Sequence, residues 1–233
     1  VQTGEVTGRS TPTNFSVVRV RRDIFRRSSI GALYTRRSES TVGPGANELV
    51  GVDARLAWFQ NVGLDTYWAR TRTSGLEKDD SSYRLQTQYN GDRYGLNLHR
   101  LVVGRNFNPE TGFIFRNDIS KYFGQARFSP RPRRVPAVRK FLFQGQVDYF
   151  DTASTGRLVT RQTQGTFGIE FQSSDRINLI YDDFYERLDA PFAIAAGVTI
   201  PPGGYHYGNL RTEFIAGQQR SLAGTGFVER GTF

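Results

Sequence analysis

The sequence predicts an all-β protein, an antiparallel up-and-down transmembrane β-barrel with about twelve strands in this chain. Three observations predict it. Apolar and polar residues alternate with a period of two along most of the chain, and no segment keeps a helical period over three turns. The alternating segments are long, and the connections between them tend to alternate between short and long. The predicted strands are 13–22, 29–38, 47–59, 63–73, 81–90, 93–103, 113–128, 139–151, 157–172, 176–187, 205–218 and 222–233.

The composition agrees with strands and turns. The chain has 233 residues, of which 37% are hydrophobic and 13% are aromatic, with 18 Phe, 11 Tyr and 25 Gly. Aromatic residues favour strands, and glycine favours turns. Cysteine and methionine are absent, so disulfides and thiol chemistry are excluded. No run of about 18 apolar residues is present, so a membrane would have to be crossed by strands.

The segment YRLQTQYNGDRYGLNLH (83–99) illustrates the pattern. Asn90 and Gly91 predict a two-residue turn between two strands, and this turn pairs Tyr83 with Leu98. One face of the hairpin is then apolar and the other polar. A soluble β-protein buries the apolar face in its core, whereas a membrane barrel turns it to lipid and lines its lumen with the polar face.

Strand and loop lengths favour the membrane arrangement. Globular strands average about five or six residues, whereas a tilted membrane strand needs about 9–11. Short connections are predicted at 23–28, 60–62, 90–92, 173–175 and 219–221, and long ones at 4–12, 39–46, 74–80, 104–112 and 188–204. Tight periplasmic turns and long outer loops give this alternation in outer-membrane barrels. Two connections break it, since 129–138 is long and 152–156 is short.

The two faces give two sets of candidate residues. The lipid-facing candidates are Tyr83, Leu85, Leu96, Leu98, Phe141, Phe143, Phe167 and Ile169. The lumen-facing candidates are Asp53, Arg55, Asp65, Arg84, Gln86, Gln144, Gln146, Asp148, Gln164 and Glu170. Their charges alternate in sign, as is expected where buried polar groups must pair.

A net charge of +9 suggests nucleic acid or an anionic surface as a partner. The basic stretch RFSPRPRRVPAVRK lacks interleaved aromatic residues, so no nucleic acid is expected. Its residues Arg131, Arg133 and Arg134 are predicted at the periplasmic end, as a basic rim. Such a rim would contact lipid phosphates or a partner, and a solvated basic loop explains the same residues.

The chain offers little chemistry for catalysis. The densest acidic cluster comprises Asp182, Asp183, Glu186 and Asp189. It suggests paired carboxylates for glycoside hydrolysis, a Ca²⁺ site, or an ordinary strand end. Asp182 and Asp183 must point to opposite faces of a strand, which argues against one shared site. His99 and His206 have no metal-ligand spacing, so we expect no metal site. We also expect no cofactor, and we assign no residue a catalytic role.

Four phrases support a family resemblance: TNFSVVRVRRDIFRRSSIGALYTRR (13–37), NELVGVDARLAWFQN (47–61), FNPETGFIFRNDISKYFGQARFSPRP (107–132) and DAPFAIAAGVTIPPGGYHY (189–207). They resemble a family of bacterial outer-membrane β-barrel domains that follow a family 9-type carbohydrate-binding-like domain. The resemblance covers nearly the whole chain and implies a Gram-negative outer-membrane location. It assigns no sugar-binding or catalytic residue to this chain.

The sequence therefore predicts one domain, 1–233, that is part of a larger barrel truncated at both ends, with residues 1–3 as the tail of an earlier strand. The expected function is binding, docking or passage of a surface ligand, with a glycan suggested by the family. Outer-membrane lipid and other envelope proteins are the expected partners. A carbohydrate-active hydrolase and a soluble anion-binding β-barrel are the alternatives.

Overall fold

Fourteen β-strands make up the regular structure of the protein in a computed structural model, which describes residues 12–195 and 197–232. The strands are β1 (Phe15–Ile24), β2 (Ser28–Arg37), β3 (Asn47–Trp58), β4 (Val62–Arg72), β5 (Ser81–Asn90), β6 (Tyr94–Val103), β7 (Ile119–Phe128), β8 (Val138–Thr152), β9 (Leu158–Phe171), β10 (Arg176–Leu188), β11 (Phe192–Ala195), β12 (Val198–Ile200), β13 (Gly203–Ile215) and β14 (Thr225–Thr232).

Twelve of these strands form one antiparallel sheet in chain order, from β1 to β10 and then β13 and β14. β11 and β12 form a separate small hairpin inserted between β10 and β13. The predicted all-β antiparallel sheet and its twelve long strands are confirmed. β1 and β14 are the two edges of this sheet, and in the described part of the chain they do not pair with each other.

Adjacent strands of a meander run in opposite directions, so the connections fall at two ends of the sheet. The long-loop end carries the connections 38–46, 73–80, 104–118, 153–157 and 189–202. The short-turn end carries 25–27, 59–61, 91–93, 129–137, 172–175 and 216–224. The exceptions predicted near 129–138 and 152–156 are present. The predicted short turn at 219–221 is wrong, because β13 ends early and leaves a nine-residue connection, 216–224.

Two further predictions of secondary structure need correction. Residues 113–118 are not strand, since β7 begins at Ile119. The segment between 188 and 204, predicted as a plain loop, contains the β11–β12 hairpin. The predicted strand tail at 1–3 lies outside the described residues.

The hairpin of β5 and β6 keeps its predicted faces but not its predicted pairs. Tyr83 pairs with Val102 instead of Leu98. The N–H of Gly91 donates to the carbonyl of Tyr94 at 2.9 Å, which moves the turn two residues along the chain. Gly91 also lacks the positive φ that a type I′ turn requires. When the turn moves by two residues, the partner of each β5 residue moves by four positions along β6. Four is an even number, so every side chain stays on its predicted face.

Apart from Val138 and Val159, the buried apolar side chains of the described residues form one small cluster near the long-loop end. It consists of Leu49, Ala69, Val103 and Phe107, with Leu33, Tyr67, Leu101, Ile114 and Ile119 packed against it. Elsewhere large apolar side chains are exposed, among them Val52 at 54% and Leu85 at 48%. In the described residues, no helix is long and apolar enough to cross a membrane.

Candidate functional site

The strand registers place the apolar candidates on one face of the sheet, which we call the apolar face. Side chains alternate along each strand, and each register fixes which residues of neighbouring strands share a face. Phe143 pairs with Phe167, and Phe141 pairs with Ile169. The residues that the structure brings to this face are Tyr83, Leu85, Leu96, Leu98, Phe141, Phe143, Phe167 and Ile169. Contact between this face and lipid stays a prediction.

The opposite face, which we call the polar face, carries all ten lumen candidates, Asp53, Arg55, Asp65, Arg84, Gln86, Gln144, Gln146, Asp148, Gln164 and Glu170. Most of them make cross-strand contacts. The Arg55 and Asp65 side chains bond at 2.7 Å, and Glu170 lies 3.0 Å from Arg139. A lumen role for these residues remains a prediction as well.

Further cross-strand bonds extend this polar ladder to residues outside the set of ten lumen candidates. They join Arg19 to Asp53 at 2.5 Å, Gln86 to Asn97 at 3.4 Å, Lys121 to Asp148 at 2.8 Å, Gln125 to Gln146 at 3.1 Å, Gln164 to Asp182 at 2.8 Å and Asn178 to Glu213 at 3.1 Å. The sequence could have identified these residues, because they alternate with apolar residues in the same phase as the ten lumen candidates.

Side chains on the apolar face are generally more exposed than side chains on the polar face, which is the reverse of a soluble sheet. The side chains of Lys121 and Asp148 on the polar face are 22% and 24% exposed. Leu85 and Phe143 on the apolar face are 48% and 45% exposed. At these positions the side chains are therefore more crowded on the polar face than on the apolar face.

Not every polar group on this face has a partner. The guanidinium of Arg84 lies over the ring of Tyr67, with its carbon 5.7 Å from the ring centroid. Its Nε and the Nε2 of His99 are buried without a hydrogen-bond partner in the described structure. Buried donors of this kind are normally satisfied by water or a ligand. The polar face therefore carries polar groups that other protein groups do not satisfy within the described residues.

The connection 104–118, which we call the capping loop, folds against the polar face at the long-loop end. Phe107 is 6% exposed and packs in the cluster with Leu49. The side-chain amide of Asn47, fully buried, donates to Thr73 and to the carbonyl of Asn108, both at 2.7 Å. Ile114 packs against the same cluster, and the Asn117 amide donates to the carbonyl of Arg105 at 3.2 Å, so 113–118 belongs to the capping loop and does not extend β7. The apolar run FIF at 113–115 resembles part of a strand.

Glu110 fixes the capping loop to the connection 38–46. Its carboxylate accepts hydrogen bonds from the Ser40 hydroxyl at 2.6 Å and from the Thr41 N–H at 3.0 Å. The Asn108 amide donates to it at 3.1 Å, and Arg37 lies 3.6 Å away. Burial alone would raise the pKa of Glu110, but the hydrogen bonds from Ser40, Thr41 and Asn108 hold this pKa below its ordinary value.

The acidic cluster does not form one site. Asp182 on the polar face contacts the amides of Gln162 and Gln164, whereas Asp183 on the apolar face bonds to Arg161 at 3.0 Å. The predicted separation of Asp182 and Asp183 is therefore present. In the described residues, no group of three or more metal-binding side chains comes together.

The basic residues Arg131, Arg133 and Arg134 lie in the connection 129–137 at the short-turn end. Arg131 forms two bonds with the carboxylate of Asp92 in the neighbouring turn, at 2.8 and 3.1 Å. The pair holds the pKa of Asp92 below its usual range, chiefly through the hydrogen bond. Arg133 and Arg134 are exposed. Arg131 thus links two turns, and the other two remain free to contact solvent or a partner.

Aromatic rings form a row across the apolar face near the short-turn end. Tyr94, Phe128, Phe143 and Phe167 pair across four successive strands, with ring centroids 5.2–6.2 Å apart. A second row lies six residues further along the strands and includes Tyr122 and Tyr149. Six residues correspond to about 20 Å along a strand. Between the rows the face carries aliphatic and small residues, including Leu96, Leu98, Gly124, Ala126, Gly145, Val147 and Gly165.

Comparisons with known proteins do not identify the chain. No family model matches it, and neither does a curated protein or a solved structure. The resemblance to outer-membrane barrel domains therefore stays a prediction.

Asn47→Ala should release the capping loop. The change leaves the buried Thr73 hydroxyl, the Asn108 carbonyl and the Glu110 N–H without their partner, at about 1–3 kcal/mol for each buried group. Limited trypsin digestion should then cut faster at Arg105 and Arg116, both in the loop. Asn61→Ala, at an exposed turn position, is the matched control. Equal digestion rates for both variants would contradict this role of Asn47.

Acid should loosen the capping loop through Glu110. Its folded-state pKa is depressed, so its stabilising contribution is present above the ordinary glutamate pKa and is lost as the pH falls through the folded-state value. Hydrogen exchange of amides 104–118, corrected for intrinsic rates, should increase on acidification. Glu110→Gln should remove this pH dependence, and Glu77→Gln, at an exposed loop position, should keep it. Identical pH profiles for wild type and Glu110→Gln would contradict the assignment.

Proposed function

We propose that this chain forms the wall of a transmembrane β-barrel in the bacterial outer membrane, with its apolar face toward lipid and its polar face toward a wet lumen. The exposed apolar band between two aromatic rows carries this proposal. A soluble monomer rarely exposes a contiguous apolar patch of more than a few hundred Å². Outer-membrane barrels show an outward apolar band about 25 Å tall with aromatic girdles at both interfaces.

The directions of the two edge strands support closure of the sheet into a barrel. β1 runs toward the short-turn end and β14 runs away from it, so the two edges are antiparallel. An open edge in lipid would leave backbone N–H and C=O groups unpaired, each at several kcal/mol. We infer that both edges are paired in the membrane, either with each other or with further strands.

Two turns at the short-turn end support placement at a membrane interface. Phe25 and Phe59 each have a φ of 52°, and their side chains are 88% and 87% exposed. Left-handed backbone is uncommon for a residue other than glycine, asparagine or aspartate. The Arg27 guanidinium donates to the carbonyl of Phe59 at 3.0 Å. Aromatic rings projecting from tight turns suit the interfacial region of a bilayer.

The proposed function is binding, docking or passage of a polar surface ligand. The polar face presents amides, carboxylates and guanidinium groups beside the rings of Tyr67 and Phe123, and the capping loop narrows access from the long-loop end. We place that end outward, because long loops face outward in such barrels. A glycan is the ligand class that the family resemblance suggests, and other envelope proteins are further partners. The separation of Asp182 from Asp183 favours binding over acid–base catalysis.

Leu98→Arg should block insertion, whereas Asn97→Arg should not. Leu98 lies on the apolar face between the two aromatic rows. An arginine on the lipid face near the bilayer midplane destabilises an outer-membrane barrel by about 2–4 kcal/mol, while lumen substitutions are tolerated. Folding into phosphatidylcholine vesicles, followed by heat-modifiable migration on gels, measures the effect. The two variants differ by one position along β6 and so serve as matched controls. Tolerance of Leu98→Arg together with folding in the absence of detergent would support the soluble alternative instead.

Brominated acyl chains should quench the tryptophan fluorescence of the inserted protein. Trp58 and Trp68 are the only tryptophans in the chain, and both lie on the apolar face at 46% and 44% exposed. Vesicles of brominated phosphatidylcholine should therefore quench each residue strongly, in Trp58→Phe and Trp68→Phe variants measured separately. Acrylamide, a water-soluble quencher, should have little effect. Strong quenching by acrylamide without quenching by the brominated lipid would contradict a lipid-facing apolar face.

A further inference from the structure

Arginines recur on the apolar face at the long-loop end. Two of them, Arg100 and Arg161, share one cross-strand row with Tyr122 and Tyr149. Arg100 pairs with Tyr122, Tyr122 with Tyr149, and Tyr149 with Arg161. Adjacent strands lie about 4.8 Å apart, so the two arginine Cα atoms are about 14 Å apart, with both tyrosines between them. We call this set the Arg–Tyr row.

Arg100 has no carboxylate partner among the described residues. Its guanidinium carbon lies 3.6 Å from the centroid of the Tyr122 ring, a stacked cation–π contact. One terminal nitrogen, Nη1, is buried and so closed to an external ligand, but the guanidinium donates no hydrogen bond within the described residues, which leaves Nε and Nη2 unused as well. A guanidinium with unused donors in a fixed plane is suited to bind a phosphate.

Arg161 is only partly satisfied. Its Nη2 bonds to Asp183 at 3.0 Å, while its Nε is buried without a partner. Tyr149 packs edge-on against Tyr122 with ring centroids 6.0 Å apart. The row therefore combines two cations with two rings whose phenol groups are further donors.

Two other arginines at this end of the apolar face are more fully paired. Arg70 bonds to Asp80 through two contacts of 3.0 Å, and Arg187 lies 3.3 Å from Asp189. These pairs compete with an external anion. Arg72 is exposed on the same face and has no such pair among the described residues. What distinguishes the Arg–Tyr row is that two cations and two rings share one cross-strand row.

We propose that the Arg–Tyr row binds the phosphate of a lipid headgroup in the outer leaflet. This inference rests on the proposed function, since it requires the apolar face to contact lipid. Directly below the row, toward the short-turn end, lie the exposed aliphatic residues Leu98 and Val147. Acyl chains lying along these residues would bring their own phosphate to the level of the guanidinium groups. A free phosphate ion would gain nothing from that apolar surface, so the occupant is a lipid.

The two tryptophans report on opposite ends of the apolar face. Trp68 lies in a row with Tyr83 and Val102, so it is about 10 Å from the strand that carries Arg100. Trp58 is the last residue of β3, at the short-turn end. In the Trp58→Phe variant, fluorescence reports on lipid near the Arg–Tyr row, and in the Trp68→Phe variant it reports on the other end.

The test compares quenching by brominated phosphatidic acid with quenching by brominated phosphatidylcholine in mixed vesicles that hold the folded protein. Each basic residue near a membrane surface favours anionic lipid by about fivefold. Trp68 should therefore show a preference for phosphatidic acid of about fivefold or more, and Trp58 should show almost none. Replacing Arg100 and Arg161 together by glutamine should lower the Trp68 preference about fivefold. Arg22→Gln, on the apolar face of β1 at the short-turn end, should leave it unchanged.

Each result has a distinct meaning. Equal quenching of Trp68 by both lipids, or a preference that the double substitution leaves unchanged, would overturn the phosphate site and leave the barrel intact. Absence of quenching by either lipid would overturn the proposed function itself. Heat-modifiable migration verifies that each variant is folded. If the double variant does not fold, the single change Arg100→Gln provides the test, and an undiminished preference there overturns the proposal.

Discussion

The ladder of backbone hydrogen bonds keeps the two-residue alternation of side chains in phase from β1 to β14. A slip by one residue at any pair would mix the two faces. The twelve-stranded sheet, as described, has register shifts only between β8 and β9, at Val138/Lys140 and at Phe150/Asp151. The first places an extra residue, Arg139, in β8, and the second places one, Val159, in β9. They compensate, so the faces stay in phase between them.

Different interactions stabilise the two ends of the sheet. At the long-loop end, the capping loop supplies the conventional core and a buried polar network around Asn47 and Glu110. At the short-turn end, ion pairs join neighbouring turns instead. Arg131 joins Asp92 there, and Arg220 joins Asp175, whose pKa is held far below its usual range chiefly by that hydrogen bond. An uncovered sheet of this length depends on such links between turns, because its faces contribute little buried apolar area.

Period-two patterning predicted the twelve long strands and the division of residues between faces, because both depend on local alternation. It did not predict the turn of the β5–β6 hairpin, because residues 90–92 are held by Arg127 of β7 and by Arg131 of the connection that follows β7. It also mistook 113–118 for strand. The residues just before that segment, Asn108 and Thr111, bond to residues more than sixty positions away in the chain. Contacts at such separations leave no local pattern.

The chain has a mean hydropathy of −0.50, which is in the range of chains that fold in water. It is an average over two faces, however, and here the faces have opposite character. The mean hydropathy is the same whichever face contacts water, because it depends only on the residues present. The distribution of exposure separates the two situations, because Leu85 is more exposed than the side chain of Asp148 although it is far more apolar. In a soluble fold such an inversion costs free energy at each position where it occurs, whereas in a bilayer an apolar outer face stabilises a protein.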